Sequence, residues 1–233
     1  MPEPTNKPVD SVSELPLIEA VVFDMDGLMF NTEDLYDEVG DNLLKRRGHR
    51  FTAELKQKMM GLPGPKAFEV MRAHCGLADT IDVLQLECEQ EFLDLLPDRI
   101  QMMPGLEVIL DRIESLGLPK AVATSSHRRI ASRALGIFDL ESRFEFVLTG
   151  GDVENGKPNP DIYLKACSDL GVSPARTFVF EDSLNGSLAA AAAGVFLVVV
   201  PGHHSAGVDF KHANFRVDRL DDPLVMRILG NRS

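Results

Sequence analysis

Apolar positions along the chain follow two patterns, which predict strands and helices respectively. Short apolar runs, typical of buried strands, cover residues 20–23, 119–124, 144–148, 177–180 and 195–200. Helical stretches lie between the later runs, at residues 104–117, 126–136, 159–171 and 183–193, and each is closed by a glycine. Strands that alternate with helices are typical of βαβ units. We therefore predict an α/β fold built on a parallel sheet.

The stretch between the first and second strands has a different pattern. A helix capped by Asn31 or Thr32 is expected to run to Gly48, and further helices are expected over residues 53–60, 66–74 and 81–96. Residues 33–102 therefore predict an inserted helical domain, which interrupts an α/β core formed by residues 17–32 and 103–233. Residues 1–16 are rich in Pro, Ser, Glu and Asp and are expected to form a disordered tail.

The composition is that of a globular protein, and it narrows the classes of function. The 233 residues are 44% apolar and carry a net charge of −12, which argues against a nucleic-acid partner because such surfaces need clustered positive charge. The apolar runs are too short to span a membrane, and the first residues lack a secretion signal, so we expect a cytoplasmic protein without a membrane partner. The three cysteines form no CxxC pair and are expected to stay reduced. The sequence is compatible with a monomer or a homodimer.

The first predicted strand ends on two carboxylates. Asp24 and Asp26 follow the apolar run directly, and Gly27 allows the chain to turn sharply after them. A buried carboxylate is costly without a partner, and a metal cation would supply one. One aspartate of such a pair can act as a nucleophile and the other as a proton donor and acceptor. The alternative interpretation is a strand followed by an ordinary acidic turn.

Polar residues also end three later strands, and each has a plain structural alternative. Thr124-Ser125-Ser126 could hold a phosphate at a helix start or simply cap that helix. Lys157 stands just before a proline at a helix start, a poor place for a cation unless it faces an anion; otherwise it is a surface lysine. Glu181 and Asp182 again suggest a divalent cation, although Asp182 could instead cap the next helix. Because the carboxyl ends of parallel strands share one edge, the four strand ends predict one site.

These motifs together resemble the haloacid dehalogenase superfamily. The resemblance is carried by DMDG at 24–27, TSS at 124–126, GKPNPD at 156–161 and EDS at 181–183, in that order. It covers about residues 17–220 and is nearest to the subgroup of β-phosphoglucomutase-like and pseudouridine-5′-phosphatase-like proteins. It implies a Rossmann-like three-layer core with a parallel sheet and an inserted α-helical cap domain.

The resemblance also implies a role for each motif residue. Asp24 attacks phosphorus to form an aspartyl phosphate, and Asp26 protonates the leaving alcohol and then activates water. Thr124 and Lys157 hold the phosphoryl oxygens, with Ser125 and Ser126 beside them in the substrate site. Mg²⁺ is bound by Asp24, the Asp26 carbonyl and Asp182, with Glu181 close by. Phosphoryl transfer depends mainly on positioning and charge neutralisation, which agrees with these roles.

The predicted cap departs from the mutases of this superfamily. Its substrate-facing loop is expected to include Gly61 and Lys66, where the mutases present an arginine, and Tyr36 stands at the position of a catalytic histidine. We therefore expect a phosphatase for a small phosphorylated metabolite: a sugar phosphate, a nucleoside monophosphate or phosphoglycolate. A phosphosugar mutase and a non-catalytic phosphometabolite-binding protein are the alternatives.

Overall fold

A six-stranded parallel sheet forms the centre of the described protein. The computed structural model describes residues 16–59, 62 and 64–231. The strands are β1 (Ala20–Phe23), β2 (Lys120–Ala123), β3 (Val147–Leu148), β4 (Thr177–Glu181), β5 (Phe196–Val199) and β6 (Phe215–Arg216), and they lie in the order β3-β2-β1-β4-β5-β6. Every neighbouring pair is parallel. The strand order reverses next to β1, so β1 ends between β2 and β4, where ligands bind in sheets of this kind.

Nine helices accompany this sheet in the described ranges. They are α1 (Thr32–Lys45), α2 (Ala53–Met59), α3 (Gly64–Cys75), α4 (Ile81–Arg99), α5 (Leu106–Ser115), α6 (Arg128–Ile137), α7 (Asp161–Leu170), α8 (Leu184–Ala193) and α9 (Pro223–Gly230). The predicted α/β fold with its parallel sheet is confirmed. In these same ranges, no helix is both long and apolar enough to cross a membrane.

The sheet is buried on both faces. All four residues of β1, β2 and β5 and all five of β4 are buried, as expected for strands covered by helices. One face packs Phe23, Phe178 and Phe180 into the larger apolar cluster, where the Phe23 and Phe180 rings stack with centroids 4.9 Å apart. The other face carries the alanines of α8, whose small side chains let that helix lie close to the sheet.

Helices α1–α4 follow each other without a strand in the described ranges. They enclose a separate apolar cluster around Leu43, Leu44, Leu55, Met71 and Leu84. The chain enters and leaves this group side by side, because Phe30 and Met102 form an antiparallel bridge and the Asn31 side chain accepts a 2.7 Å hydrogen bond from Gln101 N. The division into core and cap at residues 33 and 102 stays a prediction, and the predicted tail falls almost entirely on residues 1–15, outside the described residues.

Several details of the prediction were wrong. The predicted strand 144–148 contains only Val147 and Leu148, and the helix expected to end near Leu96 continues through Pro97 to Arg99. Asn31 is the N-cap residue of α1, one of the two expected, but its side chain bonds residues 99 and 101 and makes no capping hydrogen bond, while the Thr32 hydroxyl accepts from Gly27 N at 3.2 Å. Strand β6 and helix α9 were not predicted, and their short apolar segments lie beyond the last predicted strand.

Candidate active site

The four polar strand ends meet at the carboxyl edge of the sheet. Asp24 follows β1 directly, and its position between β2 and β4 places it beside the residues that end those two strands. The chain then turns at Gly27, which has a positive φ of 78° and packs so tightly that a Cβ there would lie 2.3 Å from Asp182 Oδ2. Glycine is thus required at this position by both the backbone conformation and the neighbouring carboxylate.

Lys157 bridges the carboxyl ends of three strands, β1, β2 and β4. Its ammonium donates to Asp24 Oδ1 at 2.5 Å, to Glu181 Oε1 at 2.7 Å and to the Ala123 carbonyl at 3.0 Å. Its side chain is only 5% exposed, so it cannot be the surface lysine of the alternative interpretation. Burial alone would lower the pKa of Lys157, but the two carboxylates raise it well above its usual value, and the residue stays a cation.

Glu181 is held by five hydrogen-bond donors. Lys157 Nζ and the Tyr163 hydroxyl bind Oε1, the latter at 2.6 Å, while Oε2 accepts from the Asp182 amide and from both the amide and hydroxyl of Ser183. The residue is fully buried. Tyr163, which the sequence analysis missed, reaches Glu181 from α7, and its phenol stays protonated because burial raises its pKa well above the usual value. This arrangement fixes Glu181 in place.

Asp182 differs from Glu181, because one of its oxygens lacks a donor. The residue is 5% exposed, and its Oδ1 is buried with no hydrogen-bond partner among the described residues. Burial, and then the neighbouring Asp24 and Glu181, raise the pKa of Asp182 well above its usual range. Ser183 is the N-cap of α8, since its hydroxyl accepts from Gly186 N, so the capping alternative for Asp182 does not hold.

Asp24, Glu181 and Asp182 together have the composition of a divalent-cation site. One carboxylate oxygen from each residue lies within 4.8 Å of the other two. Hard cations such as Mg²⁺ bind carboxylate oxygens, and the unpartnered Asp182 Oδ1 is the kind of buried atom that such a cation would satisfy. Because both oxygens of Glu181 already accept hydrogen bonds, Asp24 and Asp182 are the carboxylates best placed to hold the ion.

Asp26 is oriented by two hydroxyl groups. Thr124 Oγ1 and Ser126 Oγ both donate to Asp26 Oδ2, at 2.7 and 2.8 Å, and the Ser126 amide in turn donates to Thr124 Oγ1 at 3.0 Å. The other oxygen, Oδ1, is buried and has no hydrogen-bond partner in the described part of the chain. One oxygen of Asp26 is thus anchored, and the other is available to exchange a proton.

The remaining predicted substrate residues are placed differently. Ser125 is exposed and does not bond Asp26, although its carbonyl lies 3.0 Å from where a Cβ on Gly150 would be. Lys66 is exposed on α3. Gly61 lies outside the described residues. The substrate roles of these three residues stay predictions.

Glu33 was not identified from the sequence. It stands at the start of α1 close to Gly27, and burial, followed by the charge of Asp26, raises its pKa above the usual value. His204 and Lys56 act to lower that pKa through their charges, but burial has the larger effect. A half-buried carboxylate beside the acid–base candidate is a common feature of functional sites. The only sequence signal was its place seven residues after Asp26.

Comparison with known proteins gives the family. Residues 21–200 match haloacid dehalogenase-like hydrolases. The chain belongs to this family. It is 33% identical over 178 residues to the phosphorylated carbohydrates phosphatase of Thermotoga maritima, covering 76% of this chain and 82% of that protein. It is also 33% identical over 207 residues to a probable pseudouridine-5′-phosphatase of Drosophila melanogaster, covering 86% and 89% of the two chains.

A solved structure supports the same assignment. The crystal structure of CbbY from Rhodobacter sphaeroides in complex with phosphate superposes with a TM-score of 0.79 and 26% identity, covering 88% of this chain and 95% of that one. The predicted superfamily is therefore confirmed. So is the predicted enzyme class, a phosphoric monoester hydrolase, since both relatives named above are phosphatases.

Proposed function

We propose that this protein is a Mg²⁺-dependent phosphatase that hydrolyses a small phosphorylated metabolite through an aspartyl-phosphate intermediate. The observation that carries the proposal is the convergence of Asp24, Lys157 and Asp182 with a second aspartate, Asp26, that has one free oxygen. The phosphatase names of the two relatives support the same reaction class.

Asp24 is the proposed nucleophile. Its carboxylate attacks phosphorus, the bond to the ester oxygen breaks, and the phosphoryl group is carried on Asp24. A phosphate dianion approaches a carboxylate only where positive charge offsets the repulsion, and Lys157 supplies a buried cation 2.5 Å from Asp24 Oδ1. Glu181 keeps Lys157 in place, because it binds the same ammonium group from the end of the neighbouring strand β4.

Asp26 is the proposed acid and base. Its free Oδ1 gives a proton to the leaving alkoxide and then takes one from the water that hydrolyses the aspartyl phosphate. Thr124 and Ser126 keep Oδ2 occupied, which leaves a single oxygen for proton transfer. An alkoxide needs such a proton, whereas a halide does not, so the second aspartate supports phosphate esters rather than haloacids as substrates.

Mg²⁺ is the proposed cofactor, held by Asp24, Asp182 and the Asp26 carbonyl. When bound, it would add positive charge next to the transferring phosphoryl group. The residues at this site fit a Mg²⁺ ion, because Asp182 Oδ1 is buried and accepts no hydrogen bond from the described residues.

The proposed substrates are phosphate monoesters of hydroxyl-bearing molecules such as sugars or ribosides. Glu33 stands beside Asp26, where a carboxylate can accept a hydrogen bond from a hydroxyl of the leaving group. The names of the relatives, which refer to phosphorylated carbohydrates and pseudouridine 5′-phosphate, are consistent with such a leaving group. The same carboxylate would repel the carboxylate of phosphoglycolate.

The test is metal-dependent phosphate release from a panel of sugar phosphates, nucleoside monophosphates and phosphoglycolate. We expect release by the wild type with Mg²⁺, loss of release with a chelator, and loss in Asp24→Asn. Asp169→Asn is the matched control, because it makes the same change at an exposed carboxylate paired with Lys165 on α7. No release from any ester by folded, Mg²⁺-loaded protein would refute the proposal.

A further inference from the structure

Tyr36 connects the helices of the α1–α4 group to the proposed acid–base residue. Its hydroxyl lies 3.2 Å from Ser126 Oγ, ninety residues away in sequence, and Ser126 Oγ lies 2.8 Å from Asp26 Oδ2. The Tyr36 ring stacks on Phe92 of α4, with centroids 4.2 Å apart at 29°. The phenol is therefore held by two helices of that group and points at the loop that follows β2.

The direction of these hydrogen bonds follows from the number of available protons. Ser126 has one hydroxyl proton, and Asp26 Oδ2 can only accept, whether or not Oδ1 carries the proton of the acid, so the Ser126 proton goes to Asp26 Oδ2. The hydrogen bond between Ser126 and Tyr36 must then use the phenolic proton. Burial, and next the charge of Asp26, raise the pKa of Tyr36 well above its usual value, which keeps that proton in place.

We propose that Tyr36 is a positioning residue for Asp26. Tyr36 donates to Ser126 Oγ, which directs the Ser126 proton to Asp26 Oδ2 and leaves Oδ1 to serve the substrate. Tyr36 thus acts on proton transfer through Ser126 and does not itself touch Asp26. This inference rests on the proposed phosphatase function.

Two other polar contacts also join helices α1 and α4 to the core. Glu89 of α4 accepts from Arg129 of α6 at 3.0 Å. Asp34 of α1 lies 2.9 Å from His204 Nε2, in the segment after β5. Neither contact is part of the hydrogen-bond chain to Asp26, whereas the Tyr36 hydroxyl reaches Asp26 through a single intermediate side chain.

Tyr36→Phe is the informative variant, because it keeps the ring on Phe92 and removes only the hydroxyl. With an alkyl phosphate such as glycerol phosphate, we expect kcat to fall about 3- to 10-fold with KM unchanged, a range typical of coupling within one hydrogen-bond network. Ser126→Ala should lower kcat by at least the same factor. The double variant should be no slower than Ser126→Ala alone, since Tyr36 acts only through Ser126.

A second substrate separates positioning from general damage. The nitrophenolate of p-nitrophenyl phosphate leaves without a proton, so kcat/KM for this ester should not change in Tyr36→Phe. Equal losses with both esters, or additive losses in the double variant, would overturn the inference while leaving the phosphatase proposal intact. Absence of phosphate release by the folded, Mg²⁺-loaded wild type from every ester, the full substrate panel included, would instead refute the phosphatase proposal, and the inference with it.

Discussion

Asp182→Asn tests the metal site through stability rather than activity. The Asp182 carboxylate is buried against Asp24 and Glu181, and its Oδ1 lacks a donor among the described residues. An unsatisfied buried polar group costs about 1–3 kcal/mol, and more when it is charged. Without metal, the variant should therefore be more stable than the wild type by about 1–2 kcal/mol, which corresponds to about 2–8 °C in Tm for a chain of this size.

Added Mg²⁺ should reverse the order of stability, so that the wild type becomes more stable than Asp182→Asn. At a concentration about 100 times Kd, a ligand that binds only the folded state stabilises it by about 2.7 kcal/mol, which raises Tm by about 5–10 °C. This increment should appear in the wild type and be lost in Asp182→Asn. The measurement is thermal unfolding of both proteins with chelator and across a Mg²⁺ titration.

The pH dependence gives an independent check. Because burial and the neighbouring carboxylates raise the folded-state pKa of Asp182 above its ordinary value of 3.8, the native protein binds more protons than the unfolded chain between those two values. Its contribution to stability without metal is therefore present at low pH and is lost as pH rises through the folded pKa. In Asp182→Asn, this contribution to the change of unfolding free energy with pH should be absent. Equal Mg²⁺ increments in both proteins, or a variant less stable than wild type without metal, would refute the reasoning.

Three further predictions concern residues around the site. Gly186→Ala would place a Cβ 1.6 Å from Glu181 Oε1, so it should lower the free energy of unfolding by about 1–3 kcal/mol and abolish activity. The control is Gly136→Ala, which has open space at its Cβ and should fold normally. Denaturant unfolding of both variants distinguishes them. Tyr163→Phe removes the 2.6 Å hydrogen bond to Glu181 and should cost about 1.5–3 kcal/mol in the same assay; an unchanged midpoint would show that the bond contributes nothing. Glu33→Gln should raise KM for sugar phosphates about tenfold but not for p-nitrophenyl phosphate, as initial rates would show; equal changes for both would exclude contact with a hydroxyl.

The fold could be predicted because its strands are buried on both faces. Each central strand is then a continuous apolar run ended by polar residues, as in residues 20–23 and 177–180, and glycines mark where the helices stop. Gly171 and Gly194, for example, adopt the left-handed conformation that ends α7 and α8. The two-residue β6 is too short for any periodicity to reveal it.

The strand-end residues of the site were also predictable, since one geometric rule brings them together. Glu33, Tyr36 and Tyr163 were not, because they reach the site from helices, and helical spacing alone does not tell which turn faces a neighbouring strand end. Asn31 is the N-cap residue of α1, as one of the two alternatives predicted, but neither it nor Thr32 caps the helix through its side chain, because Asn31 bonds Gln101 N and the Thr32 hydroxyl accepts from Gly27 N. Both side chains therefore form tertiary hydrogen bonds in place of a local capping hydrogen bond.

The two outer strands of the sheet have a consequence for how the protein behaves at high concentration. β3 and β6 are both edge strands, and each contributes only two residues, Val147–Leu148 and Phe215–Arg216. Exposed strand edges are templates for pairing with another chain, and such short edges offer few free backbone groups for it. A net charge of −12 adds repulsion between copies at neutral pH. The sheet thus ends in a form that resists edge-to-edge aggregation, and lengthening β6 by substitution is the simplest way to remove that protection.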